Sequence, residues 1–111
     1  MNGNELREAT KIIADLTKAG FTPEEIAVFL DNPYQAYSTE MGRIGVLVML
    51  QRGMKERTLL KKIGSMNLTE LWEKCLIAKH DGETTIVLTQ KGISQIQRYA
   101  NERKVENVSK V

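Results

Sequence analysis

Apolar positions recur every three or four residues along much of this chain, and that spacing predicts helices. From Asn4, a suitable cap, Leu6, Ala9, Ile13 and Leu16 fall on one side of a helix running to about Lys18, with Ile12 widening the stripe. Ala19-Gly20 ends it. Thr22-Pro23-Glu24-Glu25 is a start signal in three parts: a capping hydroxyl, a proline at the first helical position, and a glutamate three residues after the cap. Ile26, Phe29 and Leu30 follow before Asp31-Asn32-Pro33 closes the second helix. Tyr34 to Ser38 reads as a connector, and Ser38 or Thr39 caps a third helix over about Glu40 to Arg52. Its run from Ile44 to Leu50 is apolar nearly all round, which predicts a central, buried element. The β-branched content also permits a strand, but the spacing of Met41, Ile44, Leu47 and Val48 and the segment's length favour a helix.

Gly53 closes that segment, and a fourth helix is predicted from about Lys55 to Ile63 with Leu59, Leu60 and Ile63 inward. Gly64-Ser65-Met66 reads as a short turn, and Asn67 caps a fifth helix whose apolar face is Leu68, Leu71, Trp72 and Cys75. Two helices joined by a short glycine-containing turn form a helix-turn-helix pattern. Further on, Asp81-Gly82 is the preferred two-residue connection of a β-hairpin. It sets His80 opposite Glu83, Lys79 opposite Thr84, Ala78 opposite Thr85 and Ile77 opposite Ile86. Ile77, Ile86 and Leu88 then share the face towards the helices, which Lys79 and Thr84 extend to the tip. A last helix runs from Gln90 to about Lys104 with Ile93, Ile96 and Ala100 on one side, and Val105 to Val111 is expected to fray.

Composition narrows the function classes. The 111 residues are 41% hydrophobic and 27% charged, as in an ordinary soluble domain. No apolar run approaches the ~20 residues that cross a bilayer, and the polar start carries no signal pattern, so a cytoplasmic protein is expected. Cys75 and His80 are the only residues of their kinds, which leaves a catalytic triad or a cysteine–histidine metal cluster without partners. An enzyme is therefore not expected. Charge is unevenly spread: residues 1–40 carry three basic and seven acidic side chains, residues 41–111 carry 13 and seven. The later part is suited to an anionic partner.

Two local motifs sharpen this. Leu71-Trp72-Glu73-Lys74-Cys75-Leu76-Ile77 looks like the end of a recognition helix passing into a first wing strand, and Leu88-Thr89-Gln90-Lys91-Gly92 resembles the step from a second wing strand into the next helix. With the order of elements over Glu40 to Lys104, they resemble the winged helix-turn-helix regulators. The likeness is to the multiple-antibiotic-resistance (MarR) and PadR-like groups and their archaeal and phage relatives. The resemblance implies a mainly α fold with a small β-hairpin wing over residues 36–104, a two-helix N-terminal extension over 1–35 and a tail over 105–111. It also implies that the fifth helix enters the major groove, the fourth crosses above the backbone, and the wing touches phosphate or the minor groove. Asn67, Thr69, Glu70, Glu73 and Lys74 would then face bases; Lys55, Arg57, Lys61 and Lys62 would flank phosphates; Lys79 and His80 would sit on the wing. Two glutamates on the recognition helix, and Asp81 and Glu83 at the wing tip, depart from the basic pattern that phosphates favour.

The expected function is a sequence-specific, dimeric, repressor-like regulator that binds double-stranded DNA without a cofactor. Pairing of two copies would use the apolar stripe of the first helix with Ile93, Ile96, Tyr99 and Ala100. The alternative is a protein-interaction module, an adaptor or antirepressor, using the same acidic and apolar surface. Plainer roles compete at single positions. Lys55, Arg57, Lys61 and Lys62 can be a solvated helix side, Arg43 and Arg52 simple end charges, and Trp72 part of the core. Cys75 reads as a small buried hydrophobe and His80 as solvent-exposed, while Tyr34 and Tyr37 either pack the connector or line a partner surface.

Overall fold

Seven consecutive residues, Ile44 to Leu50, are buried, and the other elements are arranged around the helix to which they belong. The computed structural model describes residues 3–109 except Asp81 and Glu83, and the backbone alone of 4, 5 and 105–109. In chain order the elements are α1 (Gly3–Lys18), α2 (Pro23–Asp31), α3 (Pro33–Ala36), α4 (Glu40–Leu50), β1 (Met54–Lys55), α5 (Glu56–Ile63), α6 (Ser65–Glu73), β2 (Ile77–Lys79), β3 (Thr85–Leu88) and α7 (Gln90–Ser109). The fold is thus mainly helical with a small three-stranded antiparallel sheet, compatible with a wing. As expected, the segment through Ile44–Leu50 is helical and central, and α1, α2, α3, α7 and β3 all pack against it.

The N-terminal helices share this core. Leu16, Phe21, Ile26 and Phe29 belong to the same apolar cluster as Leu47, Leu59, Leu71 and Ile86. The start signal of α2 closes as a capping box: Thr22 Oγ1 accepts from the Glu25 N–H at 3.2 Å, and Glu25 Oε1 accepts from the Thr22 N–H at 2.9 Å. Glu25 also receives Arg103 of α7 at 2.6 and 3.0 Å, while Arg103 lies over the Tyr99 ring and donates to its hydroxyl at 2.6 Å. Burial alone would raise the Glu25 pKa, but the Thr22 N–H and the Arg103 guanidinium outweigh it and hold the carboxyl below its usual range. In the last turn of α1, Asp15 accepts from Arg52 at 2.7 and 3.1 Å. Arg52 is therefore more than an end charge.

Several elements differ from the sequence expectation. The face by which α1 docks carries Ile12, Asp15, Leu16 and Ala19; Leu6 and Ile13, expected inward, lie about a quarter turn away and are 60% and 43% exposed. Leu60 of α5 is likewise outward. The connector contains a one-turn helix, α3, which Pro33 begins and Asn32 caps. Between α4 and α5, β1 forms the edge of a sheet of order β1-β3-β2. The hairpin register is shifted by two: Ile77 faces Leu88, Ala78 faces Val87, and Lys79 faces Ile86. Its connection is longer than the two-residue turn that Asp81-Gly82 suggests, because β3 is fixed from its other side by Met54↔Ile86 and Lys55↔Thr85. A shift of two preserves the side each residue faces, so Ile77 and Ile86 remain buried. The turn residues Asp81 and Glu83 lie outside the described residues. Finally, α7 continues to Ser109, beyond the expected end near Lys104.

The Leu88–Gly92 motif has a local physical role. Thr89 Oγ1 donates to the Cys75 carbonyl at 2.6 Å and accepts from the Gly92 N–H at 3.2 Å, capping α7 while tying it to the end of α6. Cys75 itself is exposed, not buried, because α6 stops before it and the chain turns there through φ 58°. Left-handed backbone is unfavourable for a residue with a Cβ. Cys75→Gly is expected to stabilise the fold by about 0.5–1 kcal/mol, the relieved strain exceeding the added unfolded-state entropy. A thermal midpoint that stays put or falls would contradict that conformation.

Candidate nucleic-acid interface

The joint between α5 and α6 is one residue long. Gly64 adopts φ 82°, ψ 164° and serves as both the end of one helix and the start of the next, a conformation suited to a residue without a Cβ. The Tyr34 ring covers it, with Cε2 lying 2.8 Å from where a Gly64 side chain would begin. Ser65 and Met66, read in the sequence as turn, are instead the first turn of α6. Asn67 is not the cap: its Nδ2 donates to the Ile63 carbonyl at 2.8 Å, lashing the two helices together. Neither α5 nor α6 has a side-chain cap, whereas Thr22, Asn32 and Thr39 cap α2, α3 and α4.

Leu68 and Leu71 anchor α6 to the core, and Trp72 is half-buried against it. The opposite side presents Ser65, Met66, Thr69 and Glu73 to solvent, with Met66 85% exposed. Glu70 and Lys74 are diverted: Glu70 Oε1 accepts from Lys74 Nζ at 3.2 Å and from the Tyr37 hydroxyl at 3.4 Å. Burial first, then the neighbouring Glu70 charge, raises the Tyr37 pKa above its usual range, keeping the phenol protonated as the donor. One of the two glutamates that would oppose an anionic partner is thereby neutralised.

The basic residues separate into groups. Arg57 and Lys61, one turn apart on α5, are exposed on the side opposite Leu59 and Ile63. Lys62 is half-buried and lines the groove towards Lys11 and Ile12 of α1, away from them. Lys55 is exposed on β1 opposite Thr85. Lys79 Nζ reaches Glu56 Oε1 at 3.3 Å, and the Glu56 N–H donates to the Thr84 carbonyl at 2.9 Å, so the hairpin and the start of α5 are pinned together. His80 is exposed at the end of β2. The sequence offered no signal for Glu56, which acts across elements; the signal for Met66 was that glycine can make a turn by itself.

Ile96 and Tyr99, expected to pair two copies, are buried within their own chain. Leu6 and Ile13 of α1 are the part of that surface left exposed. No described helix is long and apolar enough to cross a membrane. Neither a family profile, a curated protein nor a solved structure matches the chain.

Proposed function

We propose that the chain is a winged helix-turn-helix module that binds double-stranded DNA sequence-specifically as a transcription regulator, with α6 as recognition helix and the β2–β3 hairpin as wing. The observation that carries this reading is the Gly64 joint: it leaves the Ser65–Met66–Thr69–Glu73 side of α6 in solvent while Arg57 and Lys61 occupy the outward side of α5. The N–H groups at the start of α6, which has no side-chain cap, would add partial positive charge near phosphates. A homodimer would place two such modules on a two-fold site, joined through Leu6 and Ile13.

The reading is tested by titrating mixed-sequence duplex across a range of salt concentrations. Affinity should fall steeply with salt. Arg57→Ala and Lys61→Ala, both at exposed positions, should weaken binding to all duplexes alike and reduce the slope of log K against log salt by about one each. Absence of binding at low salt overturns it. A second reading, a protein-interaction module, is favoured by the exposure of Met66, Tyr34 (62%) and Leu60 (41%) around the same joint. A stable complex with another protein, together with no salt-dependent DNA binding, would select it.

A further inference from the structure

Resting on the DNA-binding reading, we infer that α6 reads a pyrimidine-rich strand, recognising thymine through Met66 and Thr69 and cytosine through Glu73. The inference follows from which chemistry α6 leaves free. Guanine is read by forked or multiple cationic donors, and adenine by the paired donor and acceptor of a side-chain amide. The exposed side of α6 carries neither: its cation Lys74 is paired with Glu70, and the Asn67 amide donates to the Ile63 carbonyl. What remains is a thioether 85% exposed, a threonine, a carboxylate and the Ser65 hydroxyl, which suits any base and selects none.

Each has a pyrimidine counterpart in the major groove. The thymine C5-methyl is met by apolar groups, including the threonine methyl, and the cytosine N4 amino group donates to carboxylate. Thr10 and Thr17 spend their hydroxyls on carbonyls four residues back, whereas Thr69 has no partner among the described residues. Met66, Thr69 and Glu73 share one side of the helix at i, i+3 and i+7, spanning about 10 Å along the axis. Stacked bases on one strand are about 3.4 Å apart, so the three side chains are spread over roughly three steps, that is, four consecutive bases. Glu73 is repelled by phosphate but satisfied by an amino group, so the acidic residue in a recognition helix becomes a selector.

The experiment is selection of bound duplexes from a randomised pool, followed by anisotropy titration of the enriched duplex with single-base changes. One strand of the enriched site should show two neighbouring thymines with a cytosine about two bases beyond them. Replacing the contacted thymine by deoxyuridine removes one methyl group and should weaken binding about fourfold. At the thymine that Met66 contacts, Met66→Ala should shrink the thymine–uracil difference, and Met66→Leu should retain most of it. Glu73→Gln should move the preference at its step from cytosine towards adenine, because an amide can pair with adenine. An enriched site at which the exchange of thymine for uracil has no effect overturns the inference and leaves the DNA-binding reading standing; salt-dependent binding with no enrichment overturns both the inference and the sequence specificity of that reading, leaving non-specific DNA binding. No binding to duplex at low salt overturns both.

Discussion

Gly42→Ala is expected to cost the fold about 3–5 kcal/mol, a large part of the 5–15 kcal/mol by which such a domain is stable. The position is in the first turn of α4, where an alanine would ordinarily help a helix by about 1 kcal/mol. Here its Cβ would overlap the Ala36 carbonyl group and lie 2.7 Å from the Tyr37 nitrogen. Backbone cannot swing aside as a side chain can. The same carbonyl accepts from the Thr39 hydroxyl at 2.7 Å and the Thr39 N–H at 2.9 Å, and the hydroxyl in turn accepts from the Gly42 N–H at 3.1 Å. To admit one methyl group, α3 must leave α4, breaking these bonds and exposing Ala36 and Tyr37, now 5% and 3% exposed. Thermal unfolding should show a midpoint lower by at least about 10 °C. A near-native melt would mean that α3 does not lie on α4 as described.

Phe29→Ala should be comparably damaging, at about 3–5 kcal/mol. Its ring is fully buried and crosses Gly45 of α4, with Cε1 2.7 Å and Cδ1 2.8 Å from where a Cβ would stand. Gly45→Ala alone overfills this space, but the shorter side chain of Phe29→Leu should make room for it. The double variant should therefore be more stable than the sum of the single changes allows, by about 1 kcal/mol or more. Urea unfolding of the four proteins measures this. Additive effects would mean that ring and glycine do not meet. Coupling would establish that α2 packs on α4 in the folded state, because Phe29 belongs to α2 and Gly45 to α4.

Local signals in the sequence were dependable where the structure is local. The Thr22–Glu25 box, the central helix through Ile44–Leu50 and the helix pair on either side of Gly64 depend on residues a few positions apart. Features set by distant partners were not legible. The two-residue strand β1 has no periodicity of its own and exists because β3, thirty residues later, pairs with it. That pairing also overrode the turn dipeptide in fixing the hairpin register. The stripe on α1 could be counted, but the face that docks runs through Ile12 and Leu16 and not through Leu6 and Ile13, a choice made by the distant core it meets. In the candidate site, the availability of the side chains was not legible. Glu70 and Lys74 neutralise one another, Asn67 is engaged by Ile63, Lys62 faces α1, and Cys75 is turned outward by its backbone.

The clasp between Glu25 and Arg103 joins residues 78 positions apart. A growing polypeptide would emit α2 many seconds before the arginine that secures it, given synthesis at about 5–20 residues per second. Until then Phe21 lacks the Tyr99 ring it meets at 5.7 Å, and the front of the chain waits with apolar surface uncovered. Maturation is thus paced by the emergence of α7, and a transcript cut short before the Arg103 codon would yield a product in which this clasp cannot form.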